Sequence, residues 1–104
     1  MTFASARDRD DIEAELPRDK RDLPVTTYDL LSRTAAKNGG GNAVSYQLLS
    51  DPKSKAETLR WSELLAKTTQ TANFFRELGI GETDVVAFLL PNCNEAVLTY
   101  LGGQ

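Results

Sequence analysis

The chain lacks histidine altogether and carries a single cysteine, Cys93. The first absence removes imidazole general bases, Ser-His-Asp triads and histidine metal ligands. The second leaves no internal disulfide and too few thiolates for a structural zinc site. One cysteine fits a reducing compartment, so cytoplasm is the expected location. No apolar run approaches the roughly 20 residues that cross a bilayer. The N-terminal MTFASARDRDDIEAELPRDKRD has no apolar centre like a secretory signal, and its many acids argue against an organellar transit peptide. Twelve basic residues stand against fifteen acidic ones, for a net charge of −3, and no Lys/Arg cluster alternates with aromatics. That balance argues against a nucleic-acid surface.

What is present is ordinary globular material: 104 residues, 40% apolar and 26% charged. Such a length makes one small domain at most, burying roughly 60 to 70% of its unfolded surface around a marginal core. Residues 1–23 form a charged leader. From Arg7 to Asp22, twelve of sixteen positions are charged, of both signs. Opposite charges three or four apart predict a solvated surface helix over about Asp8 to Leu16, ending before Pro17. Asp8 and Asp10 begin like a calcium loop, but the later ligands and central glycine are missing.

The compact part is read as 24–104. Thr26 followed by Asp29 is a variant capping box that starts a helix. Its inward stripe is Leu30, Leu31, Thr34 and Ala35, and Asn38 with Gly39 to Gly41 stops it through left-handed backbone geometry. The triple glycine follows a helix and precedes a strand, the reverse of a phosphate-binding loop. Next, Val44, Tyr46 and Leu48 alternate with polar residues, ETLRW repeats that pattern in short form with Leu59 and Trp61 on one face, and SDPKSKAE makes a protruding hairpin tip. Trp61 reads as a packing residue. From Ser62 to Leu78 the period becomes helical, with Leu64, Leu65, Thr68, Thr71, Ala72, Phe75 and Leu78 in one arc expected to face a sheet. Glu63 and Lys67 stand four apart on the outer side. Phe74, outside the arc, points to contact with a second element. Gly79 stops this helix, and the Gly79 to Gly81 pair is a turn rather than a dinucleotide fingerprint.

DVVAFLL, Asp84 to Leu90, shows no alternation and reads as a strand covered on both faces. A right-handed crossover would set it parallel to Glu57–Trp61. Asn92 with Glu95 starts a further helix whose Val97, Leu98, Tyr100 and Leu101 need a partner. Too little sheet is available to cover these groups, so the chain is expected to be the front of a larger enzyme whose catalytic groups lie beyond Gln104. Cys93, just ahead of this helix, has no base or resolving thiol in view, so a reactive role is not assigned.

The ordered set Trp61, Glu63, Leu64; Leu78, Gly79, Asp84, Val86; Leu90, Pro91, Asn92 resembles the N-terminal part of the AMP-forming adenylating superfamily, over roughly Pro24 to Gln104. Arg60 stands where members of that superfamily commonly carry threonine, and Ser62 is expected to cap instead. The resemblance implies an α/β fold: the large domain's first helix, hairpin, helix, buried parallel strand and start of a further helix, incomplete alone. It further implies an acyl-CoA synthetase that uses ATP and Mg2+ to convert a carboxylic acid, by the long hairpin tip and charged leader a fatty or related acid, into an acyl-adenylate and passes it to CoA. No position here matches the superfamily's phosphate loop, magnesium contacts or catalytic lysine. Catalytic, cofactor-binding and metal residues are therefore expected to be none, with no cofactor bound and the chain inactive alone. The expected partner is the remainder of the same enzyme. The alternative is a self-sufficient, non-enzymatic assembly module that pairs its exposed apolar surface in a homo-oligomer.

Overall fold

A computed structural model describes residues 4–104. The order is α1 (Ala6–Glu15), a 3-10 turn (Arg18–Lys20), α2 (Thr27–Asn38), β1 (Asn42–Tyr46), β2 (Glu57–Arg60), α3 (Trp61–Glu77) and α4 (Asn94–Gly102). The result is mixed helix with one two-stranded antiparallel sheet. Among the described residues no helix is long and apolar enough to cross a membrane.

α1 forms where charge patterning predicts it and buries no residue. Ser5 caps it: the Asp8 amide donates to Ser5 Oγ at 3.3 Å, and Ser5 N donates back to Asp8 Oδ2 at 2.8 Å. Such reciprocal bonds satisfy amides that have no partner within a first helical turn. Asp8 is thus a helix-starting residue.

α2 begins by the same chemistry, the Asp29 amide donating to Thr26 Oγ1 at 3.0 Å. The return bond reaches one residue further back, from Val25 N to Asp29 Oδ2 at 3.1 Å. The inward stripe is narrower than expected: Leu31 and Ala35 are buried, but Leu30 is 50% exposed. Nor does α2 end in left-handed geometry. Gly39 sits at φ −49°, and Gly79 is the one described residue with positive φ. Close approach explains the glycine instead, since a Cβ on Gly39 would lie 2.9 Å from the Ala35 carbonyl oxygen.

β1 and β2 pair with Tyr46 opposite Glu57 and Val44 opposite Leu59, and an irregularity between Asn42 and Val44 adds one residue to β1. Val44, Tyr46 and Leu59 are half-buried while Ser45 and Thr58 share a 2.8 Å hydroxyl bond on the other face. Leu48 leaves the predicted alternation, because β1 ends at Tyr46 and Leu48 is 76% exposed in the tip. Asp51 organises that tip, its carboxylate accepting from Lys53 N at 2.9 Å and its carbonyl from Gln47 Nε2 at 2.7 Å.

Trp61 is the first residue of α3 rather than the last of β2. Arg60 occupies the cap position by its backbone, and its amide donates to Glu63 Oε2 at 2.8 Å. Glu63 is thereby engaged at the helix start, and no ion pair joins it to Lys67 among the described residues. Ser62 does not cap; it ties α3 to α2, its Oγ donating to the Gly39 carbonyl at 2.9 Å. With Ser62 N and Trp61 N donating to Gly39 O and Gly41 O at 3.1 and 3.0 Å, the glycine loop becomes the hinge-point of this corner. At its far end α3 closes in a Schellman motif: Ile80 N donates to Phe75 O at 3.0 Å, Gly79 N donates to Arg76 O at 2.9 Å, and Gly79 takes φ +80°.

The arc of α3 faces helices more than sheet. α3 packs chiefly on α4 and α2, with smaller contacts to both strands. Leu64 is 2% exposed and Thr68 1%, while Leu78, at the end of the arc, is 60% exposed. Burying a leucine as Leu64 is buried contributes about 1.5–3 kcal/mol. α4 begins at Asn94 with Cys93 as cap residue, so Asn92 and Glu95 do not start it as expected. Asn94 Nδ2 donates to the Glu57 carbonyl at 3.1 Å, pinning the helix start to β2. Its other end presses on α3, where a Cβ on Gly102 would fall 2.6 Å from Thr71 Cγ2. The buried hydroxyl of Thr68 and Oδ1 of Asn94 have no hydrogen-bond partner among the described residues.

Among the described residues Asp84–Leu90 joins no sheet, and the sheet holds β1 and β2. A strand in that position needs a neighbouring strand, and β2 pairs with β1 alone. The Cα radius of gyration, 18.0 Å, exceeds the ~13 Å of a compact domain of this length.

Candidate functional site

Of the residues weighed for chemistry in the sequence, Trp61 and the Gly39–Gly41 run meet, through the 3.0 Å bond from Trp61 N to Gly41 O. Asp8 turns its carboxylate to Ala4 N and Ser5 N, at 3.1 and 2.8 Å, and Asp10 pairs with Arg9. The Ser5 hydroxyl, followed by the Ala4 and Ser5 amides, holds the Asp8 carboxyl below its ordinary value. Gly39 and Gly41 accept from α3 through their carbonyls, and the Gly41 amide donates to Asn38 O at 2.8 Å. Trp61 is half-buried beside Gly41 and acts as packing. Gly81 closes a turn on Asp84, with Gly81 N donating to Asp84 Oδ2 at 2.7 Å and Asp84 N to Gly81 O at 3.1 Å. Cys93 is a free, half-buried thiol. Among the described residues no group of three or more His, Cys, Asp or Glu side chains is placed to hold a metal.

The same test applies to a nucleotide. A triphosphate needs a loop of free backbone amides or clustered cations, and a magnesium ion needs gathered oxygen donors. Among the described residues no carboxylates are gathered to hold a magnesium ion, and the one run of unpaired amides, Val85 to Asn92, contains no lysine or arginine, so no step through ATP, Mg2+ or CoA is placed on this chain.

What the fold does build is an uncovered apolar face. Val85 is 93% exposed and Leu89 99%. Val86, Phe88 and Leu90 on the alternate positions are less so, at most 44%, because this side leans toward α3 and α4. Phe75, Val86, Phe88 and Tyr100 line a cleft of about 450 Å³ there. Phe74, 55% exposed, stands 6.2 Å from Phe75 in ring-centroid distance and extends the face along α3. The backbone is as bare as the side chains. From Val85 to Asn92 no N–H or C=O has a hydrogen-bond partner among the described residues. Buried backbone groups are nearly always paired, so this segment sits in water as it stands and has both the apolar side chains and the free ladder groups of a strand. Sequence reasoning found the segment by its lack of alternation; its missing neighbour left no signal.

A family model described as AMP-binding enzyme matches residues 31–104. An acetyl-coenzyme A synthetase of Emericella nidulans is 28% identical over 75 residues, which is 72% of this chain and 11% of that protein. The chain therefore spans about a tenth of the length of this curated relative. No solved structure matches.

Proposed function

The chain belongs to the AMP-binding enzyme family, and from that premise we propose that it is the N-terminal segment of an AMP-forming acid–CoA ligase. In this reading residues 1–23 are a charged leader and 24–104 the first part of the AMP-binding domain. The whole enzyme activates a carboxylic acid with ATP and Mg2+ to an acyl-adenylate, releasing pyrophosphate, and then transfers the acyl group to CoA in the cytoplasm. The hairpin tip and leader lean toward a fatty or related acid; the relative named for acetyl-CoA brings short acids into the same test. The 104 residues themselves are structural and inactive. They contribute the corner made by α2, the hairpin and α3, and a strand, Asp84–Leu90, that is completed by the remainder of the enzyme.

The observation that carries this is the family match over 31–104, joined by a segment whose apolar side chains and backbone both lack partners. The test is acid-dependent ATP–pyrophosphate exchange, run on a longer polypeptide that contains the chain and on the chain alone, with acetate, medium and long-chain acids. Exchange with one of the acids by the longer protein, and none by the chain, is expected. Exchange by the chain alone, or by neither protein with any acid, overturns the reading.

A second reading rests on Val85 and Leu89, bare enough to pair between copies: a self-sufficient assembly module forming a homo-oligomer. Sedimentation separates the two. A discrete oligomer that hides these residues and binds no apolar dye supports the module.

A further inference from the structure

We draw no further inference here: the strongest candidate, the cleft between β1 and the start of α4 where the buried Asn94 Oδ1 lacks a partner, carries nothing, because that oxygen is sealed from the cleft rather than aimed into it and nothing in the structure shows what covers the apolar walls of Val44, Tyr46 and Val97.

Discussion

Thr26–Ile80 and Asp84–Leu90 are both rich in apolar residues, yet the first stretch closes on itself and the second does not. In the first, Thr26 caps α2, the strands exchange ladder bonds, Ser62 fastens α3 to Gly39, and Gly79 seals the far end. In the second, the backbone from Val85 to Leu90 has no partner among the described residues and Leu89 stands 99% exposed. The difference separates two kinds of instruction. Caps, turns and hairpins are satisfied by residues a few positions away, whereas a strand of this apolar kind is satisfied only by neighbours on both edges and both faces.

The largest effect that sharpens the contrast comes from trimming one leucine in each region. Leu64→Ala, at a side chain 2% exposed, is expected to cost about 2–5 kcal/mol in urea denaturation. Leu89→Ala should stay within about 0.5 kcal/mol in this chain, and join the range of Leu64→Ala in a longer polypeptide that covers it. Equal costs in the chain alone would erase the distinction.

A smaller effect tests how firmly α4 is docked. Gly102→Ala places a Cβ 2.6 Å from Thr71 Cγ2, and overpacking of that kind typically costs about 1–3 kcal/mol. Gly40→Ala, where no atom lies within 4 Å, serves as the neutral control. If both variants melt alike, α4 does not rest on α3 as described.

Removing a cap comes next. Thr26→Ala should lose about 1 kcal/mol, seen as a lower denaturation midpoint and faster amide exchange in the first turn of α2. The smallest effect is electrostatic. Arg33 Nε donates to Asp29 Oδ1 at 3.0 Å and its NH1 to Asp22 at 2.9 Å. The Arg33 bond to Asp29, followed by the Val25 amide, holds the Asp29 carboxyl below its ordinary 3.8. A depressed folded-state pKa means the contribution is present above the ordinary value and is lost as pH falls through the lower, folded one. Arg33→Gln should raise the Asp29 midpoint in an NMR carboxyl titration. An unmoved midpoint would show that the guanidinium is not engaged in solution.

Much of the closed region was legible in the sequence because its rules are local. Thr26 and Asp29 announced α2, SDPKSKAE the hairpin tip, and Gly79 the end of α3. Boundaries failed where a longer-range bond decided them. Its position marks Ser62 as a cap, but its hydroxyl is drawn to Gly39, 23 positions earlier. Alternation carries Trp61 into β2, yet Glu63 reaches back to the Arg60 amide and begins the helix at Trp61. At Gly39 the constraint is the nearness of the Ala35 carbonyl, not a left-handed backbone. For Asp84–Leu90 the apolar run signalled a strand, but a partner strand is a property of other sequence, and no pattern within seven residues reports it. The candidate site was legible only as that unanswered run, since no catalytic motif accompanies it.

Amide hydrogen exchange across Val85–Leu90, measured in this chain and in a longer polypeptide that contains it, tests the central claim most directly. The account predicts near-unprotected amides in the chain alone and protection approaching that of β1 and β2 in the longer protein. Protection already present in a monomer of the chain, or none in either protein, would contradict it.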